Sequence, residues 1–171
     1  MRLERLLLLA LLLGLALPAY ALRSDATKPV EIKADRVRVD GRTGRSIYQG
    51  HVRLTQGTLH MEADRVEVYL TPARKLSRIV ALGDPATLQQ QADNGELVKA
   101  RAARMEYEAN THRIVLTDGV ELQQGRNRFS GARVVYQITD SRLEAGGSDN
   151  KPVRAILIPP PPKAKETPAK P

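Results

Sequence analysis

The chain has 171 residues, a formal charge of +8, no cysteine, no tryptophan and one phenylalanine. That length suits a single domain with a real core, and the missing cysteine excludes disulfides, thiol catalysis and thiolate metal sites. Residues 22–150 carry 20 basic against 17 acidic groups, and residues 151–171 alone carry +4; a mixed-charge core with few aromatic platforms argues against nucleic-acid binding.

Residues 1–21 read as a secretory signal. Arg2 and Arg5 precede an apolar run over 6–17, Pro18 breaks it, and Ala19-Tyr20-Ala21 offers small residues for cleavage. The run is short for a spanning helix, which needs about 20 apolar residues. The mature chain is therefore expected to be soluble and exported, with one domain over 22–158 and a Pro/Lys tail over 159–171. That tail cannot bury surface and is expected to be disordered or polyproline-like.

After a polar stretch at 23–29, residues 30–40 are expected to form a strand and 41–44 a turn. Strands follow over 46–55 and 58–70, joined at Gln56-Gly57, where glycine tolerates the positive φ of a hairpin. Residues 71–74 turn, because proline presets φ and removes a ladder donor. A strand over 76–82 is closed by Gly83-Asp84-Pro85, and 86–91 is short and extended. Residues 92–95 turn around Asn94-Gly95. Segment 96–109 is rich in helix formers, and propensity alone favours a helix there. Further strands are expected over 114–116, 120–124, 129–139 and 153–158, with 145–150 (AGGSDN) as a loop.

A repeat decides the ambiguous segment. Ala34-Asp35-Arg36-Val37, Ala63-Asp64-Arg65-Val66, Ala102-Ala103-Arg104-Met105 and Gly131-Ala132-Arg133-Val134 share one pattern, with arginines spaced by 29, 39 and 29 residues. A single shift of 68 carries the first pair onto the second, and Val52, Leu54, Gln56 and Gly57 onto Val120, Leu122, Gln124 and Gly125. The chain thus reads as a repeated strand unit, and 96–109 as a strand. Within each copy the apolar parity flips, which requires a bulge or a corner. Many short strands with Gly/Asn/Pro turns give an all-β fold; a sandwich, jelly roll or solenoid-like stack fits.

No catalytic constellation emerges. His51, His60 and His112 lack paired ligand spacing, the serines lack a nucleophile elbow, and no glycine loop suits a phosphate. Asp35 and Asp64 can pair with neighbouring arginines at strand corners, and Ala103 and Ala132 replace them in the other copies, so a structural corner accounts for them better than a catalytic pair. No metal or cofactor is implied. What remains is a long aliphatic face. It reads either as an ordinary sandwich core or as an open sandwich holding acyl chains, with nearby basic groups for anionic heads. Strand parity selects Val30, Ile32, Val52, Leu54, Leu59, Met61, Val66, Val68, Ile79, Met105, Ile114, Leu116, Leu122 and Phe129 for acyl contact. A sealed envelope scaffold and a glycan-acting enzyme are the other two classes to test.

Several segments, in order, resemble the OstA-like family of periplasmic lipopolysaccharide-transport proteins (the LptA family). They include Lys28-Pro29-Val30-Glu31-Ile32-Lys33-Ala34-Asp35, Tyr48-Gln49-Gly50-His51-Val52, Gly83-Asp84-Pro85-Ala86-Thr87, Met105-Glu106-Tyr107-Glu108 and Ser148-Asp149-Asn150-Lys151. The resemblance covers nearly all of the mature chain. It implies an open, twisted antiparallel β-jelly roll in the periplasm that binds lipopolysaccharide through its lipid A chains and catalyses nothing. It also implies head-to-tail homo-oligomers that bridge LptC at the inner membrane and LptD at the outer membrane. The apolar segments at 30–34 and 153–158 are the expected meeting edges, with Pro152 and Pro159 limiting the last strand.

Overall fold

Alternating apolar and polar residues, interrupted at regular intervals by glycine and by Asp-Arg pairs, favour strands that bend rather than stop. The computed structural model describes residues 25, 27–92, 95–139, 142–148 and 152–158. Among them ten strands form one antiparallel sheet: β1 (Glu31–Lys33), β2 (Arg36–Asp40), β3 (Arg45–Gln56), β4 (Leu59–Leu70), β5 (Leu76–Gln91), β6 (Leu97–Glu108), β7 (Arg113–Gln124), β8 (Asn127–Gln137), β9 (Arg142–Gly146) and β10 (Arg154–Ile156). The six long strands β3 to β8 form a meander. β1 and β2 both pair with β3 at one edge, and β9 and β10 both pair with β8 at the other. The all-β antiparallel architecture expected from the sequence is present, and the sheet is open, with β1 and β10 at opposite ends of its order.

The register slips at one level across the whole meander. It shifts between Gln49 and Val52, Glu62 and Arg65, Leu82 and Ala86, Arg101 and Arg104, and Thr117 and Val120. These slips make a crease that divides each long strand and reverses which parity faces inward. The crease is the physical source of the parity flip in the sequence. One half-sheet carries β1 and β10, the other β2 and β9. Apolar residues from both halves meet in a single cluster along the crease, including Val52, Ala63, Ala86, Ala102 and Val120 from the β1 half and Val66, Ala81, Met105, Leu116 and Val134 from the β2 half.

The 68-residue shift is structural as well as sequential. It carries β3 onto β7 residue for residue. It also carries four backbone specials onto four others: Gly44, Gly50, His51 and Gly57 have positive φ, and so do His112, Asp118, Gly119 and Gly125. Segment 96–109 is the strand β6, not a helix, because its neighbours on both sides offer ladder partners and its alternate residues Ala100, Ala102 and Met105 are buried.

Some boundaries differ from expectation. The segment over 30–40 is two strands, broken where Asp35 N donates to Gly50 O at 3.0 Å. Gly83-Asp84-Pro85 does not close a strand; it is the crease point of the 16-residue β5, where proline, lacking a donor, sits in a gap of the ladder. Thr117-Asp118-Gly119 likewise lies inside β7. Ala145 and Gly146, assigned to a loop, end β9, a strand with no expectation attached to it. The turn between β3 and β4 is Gly57-Thr58, one residue later than read, since Gln56 pairs with Leu59. The expected signal at 1–21, the tail at 159–171 and the core of the Asn94-Gly95 turn lie outside the described residues.

Candidate functional site

Cross-strand register sorts the inner face into rows. In the β1 half, Ile32, Leu54, Met61, Leu88, Ala100, Leu122, Phe129 and Ala155 stand side by side across eight strands. At about 4.8 Å per step, the seven steps of that row run roughly 34 Å. In the β2 half the matching outer row holds Val68, Ile79, Tyr107, Ile114, Tyr136 and Leu143. Between these rows lie the crease residues, most of them small or β-branched, and buried: Ala63, Ala86, Ala102 and Val120 on one side, Val66, Ala81 and Val134 on the other. Burial falls away from the crease. Ile32, Met61, Leu88, Leu122 and Phe129, and the whole β2-half row just named, are half-buried. The inner face is therefore a closed seam flanked by two apolar walls that remain partly accessible. Such a trough suits flexible hydrocarbon, since aliphatic walls reward burial without demanding direction.

The fourteen residues selected by parity divide on this geometry. Val52, Leu54, Val66, Met105 and Leu116 are 0–4% exposed and belong to the seam and its margin. Ile32, Leu59, Met61, Val68, Ile79, Ile114, Leu122 and Phe129 are half-buried on the walls. Val30 is exposed ahead of β1. The reading missed Leu88, Tyr48, Leu143 and Ala145, which pack against the same cluster. Leu88 was hidden because β5 was read as two pieces. Leu143 and Ala145 were hidden because β9 is only five residues long. Val134 was within reach, since the 68-residue shift maps Val66 onto it.

The N-terminal approach to the trough is pinned by hydrogen bonds. Asp25, 7% exposed, accepts from Thr58 N at 3.0 Å and from the Thr58 hydroxyl at 2.5 Å, while Gln56 Nε2 donates to Lys28 O at 3.1 Å. Those Thr58 bonds hold the Asp25 carboxyl below its usual range. At the crease, Asp35 meets His51 rather than a neighbouring arginine, with His51 Nδ1 2.8 Å from Asp35 Oδ2.

The outer face of the β2 half is locked by charge. Glu67, 8% exposed, accepts from Arg45 Nη2 at 2.7 Å, from Arg65 Nε at 2.8 Å and from the Tyr69 hydroxyl. Arg45 and Arg78 both lie over the Tyr69 ring. The Tyr69 hydrogen bond, followed by the Arg45 and Arg65 guanidiniums, pulls the Glu67 carboxyl down to about 2 against the opposing effect of burial. The long arms of this cluster lie on the same face as Val80 and Val115, the two buried apolar residues of that side among the described residues.

The outer face of the β1 half is different. There a cleft of about 720 Å³ is lined by two outward-facing, mostly polar rows, His60, Gln89, Lys99, Gln123, Arg128 and Ile156, and Glu62, Thr87, Arg101, Glu121, Ser130 and Arg154, with Leu88, Ala100, Leu122 and Phe129 of the inner row between them.

Comparison with known proteins follows the same outline. Residues 31–142 match the family model described as LptA/(LptD N-terminal domain) LPS transport protein. The chain is 31% identical over 155 residues to the lipopolysaccharide export system protein LptA of Escherichia coli (strain K12), covering 90% of this chain and 84% of that one. It is 30% identical over 159 residues to LptA of Haemophilus influenzae, covering 91% and 92%. The crystal structure of LptH, described as the LptA-homologous periplasmic component of the lipopolysaccharide transport device of Pseudomonas aeruginosa, superposes with a TM-score of 0.72 at 25% identity, over 80% of this chain and 99% of that one.

Proposed function

We infer the function from one premise: this chain belongs to the LptA/(LptD N-terminal domain) LPS transport protein family. Its function is lipopolysaccharide transport, and we place that transport in the periplasm. The half-buried walls hold the acyl chains of lipid A, while sugars remain in water. Ile32, Met61, Leu122 and Phe129 line the β1 wall, and Val68, Ile79 and Ile114 line the β2 wall. Copies stack head to tail, the β9/β10 edge of one against the β1/β2 edge of the next, into a bridge from LptC at the inner membrane to LptD at the outer membrane.

The observation that carries this reading is the state of the sheet edges. Val30, Val37 and Val39 are exposed at one edge, and Val153, Ile156, Leu157 and Ile158 at the other. An isolated sheet normally protects its edges. Here the inner row that ends at Ile32 on β1 and at Ala155 on β10 is poised to continue into a neighbouring copy by strand addition. The test is native mass spectrometry of the protein purified from its own periplasm. A co-purified species of lipopolysaccharide mass with a ladder of oligomers is the expected result. A lipid-free monomer, after addition of excess lipopolysaccharide, would favour a sealed scaffold instead.

A further inference from the structure

We propose that the cleft on the outer face of the β1 half is a second ligand site, one that binds a phosphate-bearing saccharide. Its outward-facing side chains stand on the side of the sheet opposite the apolar walls, and the inner-row residues Leu88, Ala100, Leu122 and Phe129 also border it. Its volume of about 720 Å³ falls in the range of small-molecule sites.

Charge selects an anion. Two carboxylates line the cleft, and both are engaged: Glu62 with Arg53 at 3.3 Å and Glu121 with Arg101 at 3.8 Å. Lys99, Arg128 and Arg154 line it too, and among the described residues none of the three has a carboxylate partner. Lys99 and Arg128 occupy the same row two strands apart, about 10 Å between backbones. Arg128 and Arg154 are diagonal neighbours on adjacent strands, about 7–8 Å apart. Three cations on one concave wall repel each other when empty and are relieved by one multiply charged oxyanion, which arginine engages through its planar fork.

Hydrogen-bonding groups select a saccharide over a bare anion. Gln89 and Gln123 stand in the same row as Lys99 and Arg128, and Ser130 stands directly opposite Arg154. Amides and a hydroxyl flanking a cationic centre match the hydroxyl-rich rim of a sugar around its phosphate.

The experiment is calorimetric titration of the full chain with glucose 6-phosphate, inorganic phosphate and glucose, with amide chemical shifts locating the site. Glucose 6-phosphate should bind saturably, more tightly than inorganic phosphate, with shifts at Lys99, Gln123, Arg128 and Arg154, and glucose should not bind. Lys99→Gln, Arg128→Gln and Arg154→Gln should each weaken binding about tenfold, whereas Arg38→Gln, on the exposed β2, should leave it unchanged. All four positions are exposed, and circular dichroism should show every variant folded. Equal affinity for inorganic phosphate would overturn the saccharide assignment. Binding that survives all three cleft substitutions, or shifts centred on Ile32 and Leu54, would overturn the site.

Discussion

Val52 and Val120 are 68 residues apart in sequence and occupy equivalent places in the crease. Each follows a pair of positive-φ residues, Gly50-His51 and Asp118-Gly119, and each is 1% exposed. The backbone turns left-handed just before the valine, the extra residue is absorbed, and the side chain drops into the seam. Val66 and Val134 form a second such pair, both fully buried. Among the described residues these four valines are the largest fully buried side chains, so the seam is built twice by the same device. Val52→Ala and Val120→Ala should each destabilise the fold by about 1.5–3 kcal/mol, from lost transfer energy plus a residual cavity. Urea denaturation measures both. A cost at one site several times that at the other would mean the two halves of the repeat are not energetically equivalent.

The crease also constrains its glycines unequally. A Cβ on Gly50, at φ +79°, would lie 2.2 Å from Asp35 Oδ2, whereas a Cβ on Gly119, at φ +68°, would meet nothing within 4 Å. Both alanine substitutions carry left-handed strain, about 1–2 kcal/mol, but only Gly50→Ala adds a clash. Gly50→Ala should therefore cost more than Gly119→Ala. Replacing Asp35 with Ala in the Gly50→Ala background should recover part of the difference, since the Cβ of residue 35 would still lie 2.9 Å away. Equal costs at the two glycines would show that Asp35 moves away freely.

The parity flip was legible because side-chain alternation is strict in a strand, so every slip leaves a mark in the sequence. The repeat was legible for the same reason, and it overrode the helix propensity of residues 97–108. What the sequence hid was continuity. Gly83-Asp84-Pro85 carries the composition of a turn, yet β5 runs through it, because a bulge and a turn ask for the same residues. The split of the fourteen candidate residues into seam and wall was hidden as well. Val52 and Ile32 share a parity pattern, and their distance from the crease and from the sheet edge decides which is sealed: Leu54, the cross-strand partner of Ile32, is 3% exposed. The cleft on the opposite face left no signal, since Lys99, Arg128 and Arg154 lie on three strands that pairing alone brings together.

Glu67 should make stability depend on acid. Its folded pKa, about 2, lies below the ordinary value of 4.5. A depressed carboxylate contributes stability that is present above about pH 4.5 and is lost as pH falls toward 2. Glu67→Gln keeps the shape but removes the charge, and should cost about 1–3 kcal/mol at pH 7. The gap between wild type and variant should narrow steadily between pH 5 and 2. A gap independent of pH would mean that hydrogen-bond geometry, not ionisation, accounts for the role of Glu67.

A charge on the walls should affect binding without unfolding the seam. Ile32 and Leu122 are half-buried on the inner face, so aspartate there meets water in the free protein but lies against hydrocarbon when the trough is filled. Ile32→Asp and Leu122→Asp should weaken lipopolysaccharide binding about tenfold or more, given the cost of desolvating an unpaired charge. Leu54→Asp is a poor probe, because a 3% exposed site cannot take a charge without disturbing the fold. Gln49→Asp, at an exposed position next to the inward Tyr48, is the control. Full binding by both folded wall variants would remove these residues from the lining.

The two edges make a directional prediction. If β9/β10 of one copy meets β1/β2 of the next, the contact is heterologous, and each copy has one donor and one acceptor end. Deleting residues 153–171 removes β10, which pairs with β8 through only three residues, and leaves β1 and β2 in place. The truncated chain should be monomeric alone at concentrations where the full chain forms a ladder. It should still offer its β1/β2 edge to a full-length neighbour and, with its far edge reduced to β9, stop growth there. Adding truncated chain to full chain should therefore shorten the oligomers in proportion to the amount added, as read by native mass spectrometry. A symmetric pairing of like edges behaves differently: a truncation that spares the pairing edge would still dimerise, and one that destroys it would leave full-length assembly undisturbed. Only a polar, head-to-tail contact makes a non-assembling chain an effective terminator.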